Sequence, residues 1–309
     1  MSEREPAGST FFAADVWDGR GCGPVLWGAP YDRTTADRLA GSRLAPQALR
    51  LASQQLPLLR GGAGEPPRGW YSCALARPLL TGVELYDGGD LPLPAGLGEE
   101  QVDALVARQA ATIVGAGALS CLVGGEHALT RAALRGVAAA CGEPLTLLFF
   151  DAHPDCGLSH WGGSYPRDAF VDGILADGTV ATLIQVGVRD LVHPGLAGPP
   201  AGVLQLSPRA ARRLGPAGLA ARIPRGVPLY LSLDIDVLAP EVAPATRTPA
   251  PGGFSFDELL DLVTEIAVLP ELRGLDLMEL DPGRDRAGMT VDAALQLLVT
   301  LLGRGGAGP

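Results

Sequence analysis

The chain has 309 residues, a net charge of −10 at pH 7 and a hydrophobic fraction of 47%. An acidic balance argues against a nucleic-acid partner, which needs a basic face, and the apolar content excludes a mainly disordered chain. The length suits one large α/β domain better than two small ones.

In chain order, apolar and amphipathic runs predict a strand over 25–29, a helix over 46–55, a Gly/Pro-rich surface loop over 61–67 and a helix over 99–114. A strand over 119–123, a helix over 128–140 and a strand over 145–150 follow. Further strands are predicted over 183–188, 203–206, 227–233 and 275–278, with helices over 256–268 and 291–302. Glu99 and Glu100 suit the first turn of a helix, and Ser255 with Glu258 forms a capping-box pattern. Strands alternating with helices imply crossover units and a mainly parallel sheet covered on both faces. One domain is expected over 1–309, with flexible termini at 1–20 and 303–309. The five cysteines are dispersed without a CxxC pair, and the start lacks an apolar leader core. Both features point to reduced thiols in a cytoplasm. No apolar run reaches membrane-spanning length.

Two short segments carry the chemistry. Asp151-Ala-His153-Pro-Asp155 closes the run 145–150, and Ser232-Leu-Asp234-Ile-Asp236 closes the run 227–231. Residues two apart on a strand share a side, so each set is expected to converge. Buried carboxylates cost several kcal/mol per uncompensated charge. Bound cations are the simplest compensation, and two segments suggest two. Gly124-Gly125-Glu126-His127 falls at a third strand end, where open α/β sheets bind ligands. The candidate ligands are therefore His127, Asp151, His153, Asp155, Asp234 and Asp236. Mixed imidazole and carboxylate donors suit transition metals better than Mg or Ca. Four carboxylates balance two divalent ions, and two ions about 3.5–4 Å apart are the usual arrangement for activating a water.

These residues resemble the ureohydrolases, the superfamily of arginase, agmatinase and guanidino-acid hydrolases. Gly124-Gly-Glu-His-Ala-Leu-Thr130 resembles the first family motif in its agmatinase-like form, and Asp151–Asp155 is similar to the second. Ser232-Leu-Asp-Ile-Asp-Val-Leu238, with 243–249 and Gly252-Gly253, looks like the third. Leu275-Asp-Leu-Met-Glu279 resembles the late segment that supplies a catalytic Glu, and Gly28–Asp32, Gly41–Pro46, Arg50 and Asp87-Gly-Gly-Asp90 resemble N-terminal landmarks. The resemblance implies a three-layer αβα arginase-like fold, two Mn2+ ions and a homo-oligomer, a trimer or hexamer. It implies that His127, Asp151, Asp155 and Asp234 hold one ion and that Asp151, His153, Asp234 and Asp236 hold the other, Asp151 and Asp234 bridging. Glu279 would pair with a guanidinium, a metal-activated hydroxide would attack its carbon, and Asp155 would relay the proton as urea and an amine leave.

Several positions depart from the family pattern. The His-Gly pair of the proton shuttle is absent; His160 lies five residues past Asp155, and Asp168 falls near the shuttle position in an ungapped comparison with arginase. His160 is either the stand-in or a loop histidine, and His193 reads as a structural loop residue. Cys156 and Gly157 replace polar residues that arginase uses for its amino acid, which disfavours plain arginase. Ala239-Pro240 stands for Asp-Pro, and Ala245-Thr-Arg-Thr-Pro249 for Gly-Thr-Gly-Thr-Pro. Thr246, Arg247 and Asp168 are thus substrate-binding candidates beside Glu279. Arg247 either clamps an acidic group of the substrate or makes a salt bridge within its loop. The expected substrate is a small guanidino compound, agmatine-like or a guanidino acid. The alternatives are hydrolysis of a formimino or modified-guanidine intermediate, and a metal-binding homologue with weak catalysis.

Overall fold

Runs of four to six apolar residues are too short to form helices, and with both faces buried they become parallel strands. The computed structural model of the chain describes residues 9–32, 41–59, 67–94, 96–156, 170–191 and 199–303. Its strands are β1 (Asp15–Val16), β2 (Val25–Gly28), β3 (Trp70–Ser72), β4 (Arg77–Leu79), β5 (Tyr86–Asp90) and β6 (Ser120–Val123). Then come β7 (Leu145–Phe150), β8 (Val180–Val186), β9 (Leu204–Leu206), β10 (Leu229–Asp234) and β11 (Leu272–Met278). Nine of them form one parallel sheet in the order β1-β5-β2-β6-β11-β10-β7-β8-β9, while β3 and β4 pair as a separate antiparallel hairpin.

The helices are α1 (Ala45–Ser53), α2 (Glu99–Gly115), α3 (Thr130–Cys141), α4 (Phe170–Ala176), α5 (Pro208–Ala220), α6 (Phe256–Ala267) and α7 (Met289–Leu302). They divide between the two faces of the sheet, and strand alternation decides which side chains each layer meets. Leu229, Leu231 and Leu233 of β10 pack with α1, α5, α6 and α7, whereas Tyr230 packs with α2, α3 and α4. Leu148 and Phe150 of β7 face the first layer, Leu147 and Phe149 the second. The result is the three-layer αβα architecture with a parallel sheet that the strand–helix alternation implies.

Several elements escape the sequence patterns for local reasons. The strands β1, β3 and β4 have only two or three residues, and β5 contains Gly88-Gly89, poor strand formers. Helix α5 is interrupted by Gly215, at φ +72°, and Pro216. The expected strand 183–188 begins earlier, at Val180. The flexible terminus expected over 1–20 does not extend to 11–16. Phe11 and Phe12 are fully buried, β1 pairs with β5, and the Phe11 N–H donates to Asp87 Oδ2 at 2.7 Å. Arg50 binds the same Asp87 at 2.8 Å and lies over the Phe11 ring, which accounts for both landmarks. Most of the loop expected over 61–67 lies outside the described residues.

The middle of the sheet positions the site. The adjacent strands β6, β11, β10 and β7 all point their carboxyl ends to one edge, and a candidate residue stands at or within four residues of each end: His127, Glu279, Asp234 and Asp151 respectively.

Candidate metal centre

Two imidazoles and four carboxylates meet at that edge. Around His127 Nδ1 stand Asp151 Oδ2 at 3.0 Å, Asp234 Oδ2 at 3.1 Å and Asp155 Oδ2 at 3.7 Å. Around His153 Nδ1 stand Asp236 Oδ2 at 2.9 Å and Asp151 Oδ1 at 3.4 Å. Asp151 thus turns one oxygen to each group, and donor atoms of His127, Asp151 and Asp155, and of Asp151, His153 and Asp236, lie within 4.8 Å of one another. All six expected ligands are brought together.

Convergence does not come from strand alternation as expected, because β7 ends at Phe150 and β10 at Asp234. Turns do the work. Asp151 Oδ1 accepts the His153 N–H at 2.6 Å, and Asp234 Oδ1 accepts the Asp236 N–H at 2.8 Å, each carboxylate folding its own segment back. Asp155 adopts the left-handed region at φ +45°, as does Glu279 at φ +62°. Non-glycine residues pay for such backbone, and it clusters where function requires it.

Behind His127 lies a buried polar chain that pattern reading misses. Asp276, fully buried in β11, accepts hydrogen bonds from Ser232 Oγ at 2.6 Å, Thr130 Oγ1 at 2.7 Å and the Tyr230 hydroxyl at 2.9 Å. Ser232 Oγ is also 2.8 Å from His127 Nε2. A serine has one proton, and Asp276 takes it, so Ser232 accepts from Nε2–H. In the metal-free cluster burial opposes charge on His127, but Asp151 and Asp234 push its pKa well above the ordinary range, and a bound cation would meet the Nδ1 lone pair in place of that proton. Phe149 stacks on the imidazole with centroids 4.8 Å apart, fixing its plane. The signal for Asp276 was present in the sequence, as a charged residue inside an apolar strand.

The electrostatics fit cations. Among the described residues His127 Nδ1, Asp151 Oδ2 and Asp236 Oδ2 are buried with close ion-pair contacts but no hydrogen-bond partner of good geometry, an expensive condition unless another ligand completes it. Burial, then the neighbouring Asp236 and Asp151, push Asp234 well above the ordinary carboxylate range; burial and Asp151 do the same to Asp155. Burial opposes charge on His153, but the Asp151 and Asp236 carboxylates beside its ring push it up to about 12. The bare cluster thus takes up protons to offset its own negative charge, and divalent cations would replace them. An imidazole–carboxylate donor set of this kind fits transition metals.

Glu279 stands beside the cluster rather than within it. Its N–H donates to Gly125 O at 3.0 Å and its Oε1 accepts the His127 N–H at 2.8 Å, tying the ends of β6 and β11 together. Gly125 is obligatory here, since a Cβ would come within 1.8 Å of Tyr31 O. Burial raises the Glu279 pKa, against the pull of the His127 N–H and of Arg247. Thr246 pairs antiparallel with Leu280, a register that sets Arg247 opposite Glu279. Arg247 is half-buried and forms no ion pair among the described residues, and Thr246 Oγ1 is buried without a hydrogen-bond partner. Burial, Asp172 and Asp155 push the Cys156 thiol up to about 11. His160, Asp168 and His193 lie outside the described residues.

Comparison with known proteins places this geometry. The arginase family profile matches residues 23–303. The chain is 33% identical over 296 residues to proclavaminate amidinohydrolase of Streptomyces clavuligerus, covering 92% of this chain and 88% of that one. The crystal structure of that enzyme superposes with a TM-score of 0.77 at 29% identity, covering 98% of each chain. An N(1)-aminopropylagmatine ureohydrolase of Thermus thermophilus is 32% identical over 295 residues, with 90% and 89% covered. The structure of a hypothetical agmatinase from Burkholderia thailandensis gives a TM-score of 0.79 at 28% identity, with 96% and 90% covered. With its parallel sheet, its strand-end imidazoles and carboxylates and a family match over most of its length, the chain belongs to the arginase family of hydrolases that act on carbon–nitrogen bonds.

Proposed function

We propose that this chain is a binuclear manganese amidinohydrolase that cleaves a small guanidino compound to urea and an amine. The observation that carries the reading is the pair of donor groups sharing Asp151, with the Glu279 carboxylate held beside them. His127, Asp151, Asp155 and Asp234 would hold one ion, and Asp151, His153, Asp234 and Asp236 the other. Two such ions supply charge neutralisation and an activated water. Glu279 binds and orients the planar guanidinium, a cation that carboxylates engage in bidentate fashion. Asp155, at the edge of the His127 group, would take a proton from the attacking water and pass it to the departing amine nitrogen. Overall, a guanidinium and a water give urea and an ammonium. Relatives named as an amidinohydrolase and a ureohydrolase support this chemistry. A homo-oligomer in the cytoplasm belongs to the same reading.

The substrate is best read as a guanidino acid. Arg247 stands opposite Glu279 with its guanidinium unpaired among the described residues, where a loop salt bridge was the rival expectation. A half-buried arginine with no ion pair among the described residues is suited to clamp a carboxylate. The test is a urea-release screen over guanidino acids and agmatine with manganese, nickel and zinc compared. The wild type is expected to favour guanidino acids, and Arg247→Gly to lose that preference; an unchanged ratio rejects the clamp. Release of formamide and an amine, with no urea, from a formimino substrate would favour the alternative hydrolysis.

A further inference from the structure

Arg189, just past β8, makes contacts that no metal ligand or substrate contact explains. Its backbone N–H donates to Ala152 O at 2.9 Å, in the middle of the Asp151–His153 segment. Its guanidinium is surrounded by backbone carbonyls. Nη2 donates to Asp236 O at 2.8 Å, Ala250 O at 3.0 Å and Leu238 O at 3.3 Å; Nε donates to Pro251 O at 3.1 Å; Nη1 reaches Gly187 O and Val237 O at 3.4 Å. Among the described residues it forms no ion pair.

Three segments therefore meet on one residue: the loop after β7 on its backbone N–H, and the turn after β10 and the loop 250–253 on its guanidinium. The first carries Asp151 and His153, the second Asp236, and these three form one of the two donor groups. The third segment closes on Arg189 only because it is glycine. Gly253 sits at φ +114°, and a Cβ there would lie 2.9 Å from Arg189 Nη2 and 2.8 Å from Ala239 N. The Gly252-Gly253 pair of the sequence motif is thus the backbone wrapped around this guanidinium.

The geometry points to Arg189 as a positioning residue for the Asp151–His153–Asp236 metal position, holding the His153 and Asp236 segments at their working separation. Its planar fork can engage several carbonyls at once, which a lysine cannot, and its charge offsets part of the carboxylate excess without occupying a ligand. Lost outer contacts of this kind weaken metal affinity by about 10–100-fold. The inference rests on the binuclear reading above.

The test is manganese titration of purified full-length wild type, Arg189→Met and Arg189→Lys, followed by calorimetry and by Mn(II) electron paramagnetic resonance. The wild type is expected to take two ions with an exchange-coupled spectrum. Arg189→Met is expected to keep one affinity within twofold, to lose about tenfold or more at the other, and to give an isolated-ion spectrum at low loading. Arg189→Lys is expected to fall between. Two unchanged affinities, or two that fall together, would overturn the proposal while leaving the binuclear reading standing. Should Arg189→Met fail to fold, wild-type behaviour of Arg189→Lys at both positions overturns it equally. A wild type that takes fewer than two ions overturns the binuclear reading, and this one with it.

Discussion

Ser232→Ala isolates the polar chain behind His127. The substitution removes the 2.6 Å donor to Asp276 and the 2.8 Å acceptor for His127 Nε2 while leaving β10 and its packing in place. A hydrogen bond to an ionised carboxylate contributes about 1.5–3 kcal/mol, and a buried N–H left unsatisfied costs about 1–3 kcal/mol. Asp276 keeps Thr130 and Tyr230 as donors, so the metal-free protein is expected to lose about 3 kcal/mol in all. Without its partner, Nε2 no longer dictates which imidazole nitrogen carries the proton, and Nδ1 loses its assurance of a free lone pair. Manganese affinity is expected to fall by about 10–100-fold. Urea denaturation of the metal-free protein reads the first effect, and titration calorimetry the second. A lowered denaturation midpoint with manganese affinity within twofold of wild type would refute the tautomer argument and reduce Ser232 to packing.

Glu279→Gln should lower kcat/KM on guanidino substrates by about 10²–10³-fold, the effect of losing a partner to a buried charge, with the manganese count unchanged; activity within threefold of wild type would remove Glu279 from the reaction. Chelation should lower the melting temperature, and manganese at 100 times its Kd should restore about 2.7 kcal/mol per site; a melting temperature indifferent to chelator would contradict the fit of the donor set. Glu258, held down to about 2 by Arg212 and the Ser255 cap, contributes stability present above its unfolded pKa and lost as pH falls through about 2. Because the pair is exposed, Glu258→Gln should cost no more than about 1 kcal/mol, with the deficit in melting temperature closing between pH 4 and 2; a deficit that persists unchanged at pH 2 would assign it to something other than charge.

The sheet was legible because its central strands are nearly continuous apolar runs, and the candidate cluster because acidic residues at the ends of such runs are conspicuous. The reason given for their convergence was wrong. Alternation along a strand does not bring Asp151 to His153, since the strand has already stopped; Asx turns and a left-handed Asp155 do so. These depend on local backbone hydrogen bonds that residue spacing does not encode. Asp276 and Ser232 were in view within quoted motifs, but their partners Thr130 and Tyr230 come from other elements, and only the fold supplies that proximity. Arg189 was harder still, because its partners are main-chain carbonyls, which every residue carries. The short strands and the kinked α5 left no periodic signature to read.

The order of strands across the middle of the sheet has a consequence for synthesis. β6 and β7 leave the ribosome in succession, yet in the finished sheet they are separated by β11 and β10, which are made some 80 to 130 residues later. Until those two strands arrive, facing edges of β6 and β7 stay open, and each is a largely apolar edge of the kind that recruits foreign strands. The donor set spans the same gap, from His127 to Asp236, with Glu279 beyond it. A metal ion therefore cannot template the nascent chain; it can only reward a sheet that has already closed. Truncation anywhere before β11 removes the strand that fills the centre, so a shortened product should be insoluble rather than merely inactive.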